Sequence, residues 1–265
     1  SFRQALIPCM LSILRGDINI LVDGVLVGQR LGDGGLAAIN LSVPVYQVLC
    51  ILGSFLVSGT AICASREIGR ENVERTRALC KQAQTLCLIA SVAATALGFI
   101  FLQPLASFLC SDESIRPMVR DYIAVTIAGS LPNILLYIPF WFLRLEGKNR
   151  SITVMMVIMG GGNIMLDLWF LYGLDWGVFG ASLASVLSTA AACVFGLIRL
   201  FGTGSSFVLG ISVPRSRKEW GEISAAGSPS ALNNLFQTFR LLIVNSVFLQ
   251  YGGASMVAAF TAVNG

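Results

Sequence analysis

Long apolar stretches separated by short polar connections run through the whole sequence. Seven of them are complete, and an eighth begins at Ala254. A helix of about 20 residues crosses a hydrocarbon layer of roughly 30 Å, and each complete stretch reaches that length. The pattern predicts an all-α integral membrane protein, a polytopic helix bundle. The predicted spans are 5–28, 36–64, 82–107, 122–143, 151–172, 176–198 and 223–250.

Composition supports membrane spans and narrows the chemistry. Hydrophobic residues make up 55% of the 265 residues and charged residues 12%, with a mean hydropathy of +0.77, whereas soluble domains are about 25% charged. The chain has no histidine, which excludes the usual zinc and copper ligand sets and His-based catalysis. Its seven cysteines lack CxxC spacing, so neither a disulfide framework nor a metal site is implied.

The basic residues alternate between the connections and so predict an orientation. The connections 65–81, 144–150 and 199–218, together with Arg3, hold 13 of the 18 lysines and arginines. Basic residues concentrate in cytoplasmic connections, so the N-terminus and these three connections should be cytoplasmic, in the plasma (inner) membrane. This asymmetry also accounts for the net charge of +4, and no nucleic-acid partner is expected.

An internal repeat divides the predicted spans into lobes. Residues Gly32–Val43 resemble Gly252–Val263 at an offset of 220, and Pro8 in the first span matches Pro229 in the seventh at an offset of 221. The repeat unit is then six helices, so the two units would be parallel repeats about an axis along the membrane normal. Each proline should kink its helix, either as a gating element or passively.

The repeat predicts three regions and an incomplete second lobe. The sequence begins at Ser1 and ends within an apolar run, so we expect a fragment of a twelve-helix protein. The regions are a first six-helix lobe at 1–200, a cytoplasmic inter-lobe linker at 201–218, and the start of a second lobe at 219–265.

Two carboxylates inside predicted spans are the main candidates for chemistry. Asp23 and Asp167 each follow an asparagine by four residues, Asn19 and Asn163, which puts each pair on one helical face. A carboxylate in an apolar helix either holds a cation or takes up a proton as burial raises its pKa. The two faces could form one site for sodium, with Asp23, Asn163 and Asp167 as ligands, or share a proton. Alternatively, each aspartate could reach the outer surface from its nearby helix end.

Further polar residues inside the spans are candidates for lining a cavity. They are Arg15 and Asp17 in the first span, Ser185 and Ser188 in the sixth, and Gln237 and Arg240 in the seventh. Small polar residues are common at helix contacts, so the serines are weaker candidates. An Asp17–Arg240 pair between the two lobes is a further hypothesis.

Several motifs, in order and spacing, resemble the multidrug and toxic compound extrusion (MATE) family. The segment NILVDGVLVG at 19–28 is similar to the family's opening motif, and FLRLEGKNR at 142–150 is similar to the signature after its fourth helix. NIMLD at 163–167 resembles the fifth helix, and GVFGAS at 177–182 resembles the start of the sixth. Together they cover nearly the whole chain.

This resemblance implies an antiporter that expels amphipathic, mostly cationic compounds in exchange for inward H⁺ or Na⁺, by alternating access of two lobes. It implies ion coupling at Asp23 and Asp167, and a helix-1 proline, Pro8, that bends when the aspartate is protonated. The implied partners are the lipid bilayer and small organic cations, with no cofactor, and we expect a monomer. A first-lobe coupling site is favoured because the seventh helix offers only amides, Asn233, Asn234 and Gln237.

Two other functions are alternatives to antiport. A lipid-linked oligosaccharide flippase needs several arginines for an anionic pyrophosphate, but only Arg15 and Arg240 lie inside spans, against three aspartates. A membrane-embedded enzyme is disfavoured because the aspartates lack a histidine, a nucleophile motif or a GxGD-type setting.

Overall fold

A computed structural model of the chain describes residues 26–202, 204–214, 216–240, 242–244 and 247; outside these, the first and last helices are described only by their extent. Within the described residues the fold is helical, without strands. In chain order the helices are α1 (Phe2–Ile68), α2 (Val73–Ile100), α3 (Leu102–Leu109), α4 (Arg116–Ala128), α5 (Ser130–Leu135), α6 (Tyr137–Leu145), α7 (Asn149–Asp167), a π-helical turn (Leu168–Gly173), α8 (Gly177–Phe201) and α9 (Arg217–Asn264).

In the described part of the chain, four helical segments are long and apolar enough to cross a membrane. The four are Leu26–Ile68, Val73–Ile100, Asn149–Gly173 and Gly177–Phe201. The bent helix pair Arg116–Ala128 and Ser130–Leu145, counted as one span, would be a fifth. The protein is therefore a multi-pass membrane protein. The predicted first span and the predicted 251–253 connection lie at least partly outside the described residues.

Helix α1 contains the predicted first and second spans, joined at a single non-helical residue. Gly32 has φ 66° and ψ −168°, in a region of backbone space that favours glycine. The two predicted spans are thus connected by a break of the helix at Gly32 and not by a loop.

The first of the three predicted cytoplasmic connections, 65–81, is shorter than the basic residues predicted. Helix α2 begins at Val73, where the side chain of Asn72 accepts a hydrogen bond from the backbone N of Arg75, whereas the predicted span begins at 82. Arginine and lysine are good helix formers. Basic residues therefore do not mark the end of this helix, which continues through them to Val73.

The fourth crossing is bent, which the sequence prediction of one span at 122–143 missed. Helix α4 begins already at Arg116, and the direction of the chain changes by 57° between Arg116–Ala128 and Ser130–Leu145. The bend lies at Gly129, where a Cβ atom would come 2.5 Å from Cγ2 of Val186 on α8. Small residues allow such close helix contacts.

The largest apolar core joins α1, α2, α5, α6, α7, α8 and α9 near the predicted cytoplasmic side. Phe142 on α6 is fully buried in it and meets the ring of Phe207 edge to face, with centroids 5.0 Å apart. Phe207 belongs to the segment between α8 and α9, so this connection is packed against the core.

Candidate functional site

Asp167 ends helix α7 and is buried. Its side chain is 0% exposed, and its Oδ2 accepts a hydrogen bond of 2.9 Å from Nδ2 of Asn163, one helical turn earlier. The predicted Asn/Asp face therefore exists on α7. The alternative in which Asp167 reaches the outer surface is wrong, because neighbouring elements cover the carboxylate.

Ser185 on α8 completes a small polar cluster around this carboxylate. Nδ2 of Asn163 lies 3.4 Å from Oγ of Ser185, so the amide links Asp167 on α7 to the neighbouring helix. Ser188 does not join it in the same way, since its hydroxyl donates to the backbone oxygen of Ser185 at 3.0 Å. We name Asp167, Asn163 and Ser185 the α7–α8 polar cluster.

A π-helical turn follows Asp167 directly, and the sequence analysis did not predict it. It spans Leu168–Gly173 and is continued by a bond from the backbone N of Leu174 to the oxygen of Trp169 at 3.0 Å, the i to i+5 spacing of a π-helix. π-Helical turns are rare in proteins, and those that occur are often found at functional sites. The apolar sequence Leu168–Phe170 carries no signal for it, because the same residues suit an ordinary α-helix.

Part of α1 is fixed against the residues that follow Asp167. The hydroxyl of Tyr172 donates to the backbone oxygen of Leu26 at 3.1 Å, and Nε of Arg30 donates to the oxygen of Leu171 at 3.2 Å. Val27 and Leu171 belong to one buried apolar cluster. The end of the first predicted span therefore lies beside the π-helical turn.

This contact bears on the predicted convergence of the two Asn/Asp faces. Asp23 precedes Val27 by four residues, and Asp167 precedes Leu171 by four. The side chains of Asp23 and Asn19, like those of Arg15, Asp17 and Pro8, lie outside the described residues. A joint site of Asp23 and Asp167 therefore remains a prediction.

The candidates on α9 are not part of the α7–α8 polar cluster. Gln237 and Arg240 are both exposed, whereas Asp167 is buried. Pro229 lies inside the continuous helix α9 and is also exposed. Asp17 lies outside the described residues, so the predicted Asp17–Arg240 pair remains a hypothesis.

Helices α1 and α9 approach each other through two glycines that the sequence analysis did not single out. A Cβ atom at Gly59 would collide with the backbone oxygen of Ile223, and one at Gly227 would collide with the backbone oxygen of Phe55. Asn234 lies further along α9, and its Nδ2 donates to Oγ of Ser54 at 2.8 Å. We name this contact the glycine seam. No pattern within either helix could reveal it, because each glycine is matched to the backbone of the other helix.

A buried acid at the start of α9 faces α2 close to the seam. Glu219 is 7% exposed; its Oε1 accepts from Nε2 of Gln82 at 2.7 Å and lies 2.6 Å from Nη2 of Arg75. Cys63 of α1 lines a cavity with these charged residues. From the sequence alone, the basic residues here indicate only an orientation, and nothing in the pattern points to a buried partner such as Glu219.

Comparison with known proteins gives a consistent set of relatives. A family model described as MatE matches residues 8–169. The FAD transporter of Shewanella oneidensis is 27% identical over 239 residues, which are 88% of this chain and 53% of that protein. Multidrug export protein MepA of Staphylococcus aureus (strain NCTC 8325) is 25% identical over 261 residues, 96% of this chain and 55% of that protein. The chain thus spans about half the length of these curated relatives.

Solved structures agree with the family match. An inward-facing conformation of a multidrug resistance MATE family transporter of the MOP superfamily aligns with a TM-score of 0.83 and 28% identity, over 95% of this chain and 60% of the other. A MOP superfamily transporter from Pyrococcus furiosus, described as having reversed polarity in its binding pocket, aligns with a TM-score of 0.83 and 29% identity, over 96% and 57%. Both alignments cover nearly the whole of this chain.

Proposed function

Because this chain belongs to the MATE family of membrane transporters, we propose that the full-length protein is a secondary antiporter that exports amphipathic cations in exchange for inward H⁺ or Na⁺. The observation that carries the proposal is Asp167, a fully buried carboxylate at the end of a membrane-spanning helix. A buried charge inside a membrane is costly and is rarely kept without a functional reason. The relatives named as exporters or transporters support the same reading.

The chemistry of the α7–α8 polar cluster suits a coupling site. Asp167 gains by binding a proton or Na⁺ because either one neutralises a carboxylate that has little access to water. The amide of Asn163 contacts both the carboxylate and Ser185. A change in the charge of Asp167 would therefore change the strength of a link between α7 and α8, since hydrogen bonds to an ionised acceptor are the stronger ones. Asp23 would be the second carboxylate of this site.

The glycine seam supports alternating access. Helix α9 corresponds to the start of the second lobe, 219–265, so its contact with α1 would be a contact between lobes across the linker at 201–218. The closest approach, at Gly59 and Gly227, lies at the end of each helix that the basic connections assign to the cytoplasm. We infer that the seam closes the cytoplasmic side in the conformation seen here, and that it opens when the lobes rock.

The aromatic residues around the start of α8 support a boundary between membrane and water at this end of the helix. The rings of Phe170 and Trp176 stack with centroids 5.1 Å apart, next to the half-exposed Trp169. Tryptophan is enriched at the boundary between membrane and water. This boundary would be the outer one, opposite the basic connections, in a plasma membrane protein with a cytoplasmic N-terminus.

A second candidate substrate class comes from one relative. The FAD transporter of Shewanella oneidensis is 27% identical to this chain, and its named substrate is an anionic dinucleotide. Export of such an anion would need basic residues in the cavity, as the flippase alternative would. Arg240 is the one residue of the predicted cavity that offers a described positive charge, and it is exposed. Cationic cargo is therefore the primary proposal.

Transport by everted vesicles containing the full-length protein tests the function. An acidic or Na⁺-loaded lumen reproduces the inward gradient of the cell, so ion efflux should drive uptake of a fluorescent organic cation. Uptake should exceed that of vesicles without the protein several-fold and should stop when the effective gradient is dissipated. Uptake of FAD in place of the dye would move the second candidate ahead, and absence of both under either gradient would contradict antiport.

Removing the charge of Glu219 should weaken the cytoplasmic closure. Glu219→Gln retains a partner for Gln82 but loses the ion pair with Arg75, which is 37% exposed. Because the Arg75 side of the pair is partly exposed to solvent, the pair contributes about 1 kcal/mol, so the open fraction should rise about fivefold. The rate at which a membrane-impermeant maleimide modifies Cys63 from the cytoplasmic side measures this fraction, with Cys63→Ser as background. Glu74 is exposed, so the Glu74→Gln variant should react with the maleimide at the rate of the wild type. Equal modification rates in the wild type, Glu74→Gln and Glu219→Gln would show that the ion pair does not stabilise the closed cytoplasmic side.

A further inference from the structure

The connection between α8 and α9 is fixed along the surface of α2. Nε2 of Gln84 donates to the backbone oxygen of Val208 at 3.2 Å, and the backbone N of Gly210 donates to Oε1 of the same side chain at 3.2 Å. The backbone N of Ser212 donates to Oγ1 of Thr85 at 3.0 Å. Two neighbouring side chains of α2 thus bind backbone groups of the connection at every second residue, 208, 210 and 212.

The start of this connection is also hydrogen-bonded to the first lobe. Its Ser206 accepts a hydrogen bond of 2.8 Å from Nε of Arg77 and donates one of 2.8 Å to Oε1 of Glu146. Phe207, 3% exposed, follows in the core beside Phe142. The segment from 206 to 212 is therefore part of the first lobe's surface rather than a free loop.

The outward side of this segment is apolar. Leu209, Ile211 and Val213 are exposed by 69%, 85% and 53% of their surface, while the backbone groups of Gly210 and Ser212 between them face α2. This is the reverse of a water-facing connection, in which polar side chains point outward. Large apolar side chains exposed side by side are unfavourable in water and mark a contact with another apolar phase. We name these three residues the linker patch.

The linker patch continues an exposed apolar surface of α2. Leu88 and Ile89 follow Gln84 and Thr85 by four residues each, so they lie on the same helical face; both are exposed, by 49% and 57%, in a helix apolar enough to span the membrane. The connection therefore crosses this face where the predicted span meets its cytoplasmic end. In that position its outward side chains lie at the level of the membrane interface.

Basic residues surround the patch on its predicted cytoplasmic side. The aliphatic part of Lys81 lies over Gly210, where a Cβ atom would come 2.8 Å from Cε. Arg217 and Lys218 follow the patch and are exposed. Long basic side chains at an interface keep their charge among the headgroups while their stems cover apolar surface. Anionic headgroups of the cytoplasmic leaflet complement this arrangement.

We propose that the linker patch inserts into the cytoplasmic leaflet of the bilayer, so that the inter-lobe connection is a membrane-anchored part of the first lobe. This inference does not depend on the transported compound or on the coupling ion.

Site-specific fluorescence in the full-length protein tests the proposal. Ile211→Cys and Ser206→Cys are labelled with a polarity-sensitive fluorophore and reconstituted into vesicles containing anionic lipid; both positions are exposed, so the label should not disturb folding. A nitroxide on the lipid chains should quench the label at 211 several-fold more than the label at 206. Aqueous iodide should show the opposite order. The unsubstituted protein treated with the same fluorophore supplies the background from native cysteines.

Two results would overturn the proposal. Equal quenching of both labels by iodide would place the patch in water. Protection of the label at 211 from both quenchers would show that protein covers the patch, either another segment of the full chain or a second copy.

Discussion

Replacing Asp167 by asparagine should abolish ion-driven transport while leaving the amount of protein in the membrane unchanged. The asparagine side chain has nearly the same shape and can still pair with Asn163, so packing around α7 and α8 is kept. It carries no charge at any working pH and cannot exchange a proton, and a neutral amide binds Na⁺ more weakly than a carboxylate does. Gradient-driven dye uptake in everted vesicles should fall to the level of vesicles without the transporter.

Asp175→Asn is the matched control for this substitution. Asp175 lies eight residues further on and forms an ion pair of 2.8 Å with Arg30, but its side chain is 73% exposed. Exposed ion pairs contribute about 0–1 kcal/mol, so transport should stay close to that of the wild type. Wild-type transport by Asp167→Asn would instead make this carboxylate structural and place coupling elsewhere. Asp23→Asn in the same assay tests whether the predicted second carboxylate shares the role.

A side chain at either glycine of the seam should disable transport by opening the cytoplasmic side. In Gly59→Val and Gly227→Val the new Cβ atom meets a backbone oxygen of the facing helix, which cannot rotate away as a side chain would. Overpacking of this kind costs about 1–3 kcal/mol, which corresponds to a shift of about 5- to 150-fold in a two-state equilibrium. The protein should therefore accumulate with the lobes apart, and cycling should slow accordingly.

The modification rate of Cys63 from the cytoplasmic side reports this opening, and dye uptake reports its consequence. Gly221→Val is the control, because it lies on the same helix as Gly227 and a Cβ atom there has no neighbouring atom within 4 Å. It should leave both readouts unchanged. If Gly59→Val and Gly227→Val transport the dye at the rate of the wild type, the close approach of α1 and α9 is not part of the transport cycle.

Local periodicity was enough to predict that Asn163 and Asp167 share a helical face, because residues four apart lie next to each other on a helix. The same reasoning could not predict the partner of that pair on α8. Ser185 reaches Asn163 only because α7 and α8 pack side by side, and its spacing along the chain has no fixed relation to that contact. The π-helical turn after Asp167 was equally out of reach, because its residues are ordinary helix formers.

Charge patterning was informative about the membrane and misleading about the helices. The basic residues before 82 predicted a connection that ends there, yet those from Arg75 onwards are part of helix α2 itself, which begins at Val73. The same pattern predicted a cytoplasmic inter-lobe linker at 201–218; helix α8 ends at Phe201 and helix α9 begins at Arg217. The packing of this linker against Gln84 and Thr85 depends on side chains more than 120 residues away.

Hydropathy and composition were therefore sufficient for the membrane-spanning all-α class and its helical stretches, because the bilayer acts on each segment separately and requires internal hydrogen bonding within it. The motifs in order along the chain were sufficient for the family. Tertiary structure alone decided that Asp167 is buried, that the two glycines meet the backbone of another helix, and that the inter-lobe connection presents an apolar side. These features arise from contacts between segments distant in the chain, and no single segment contains the information that selects them.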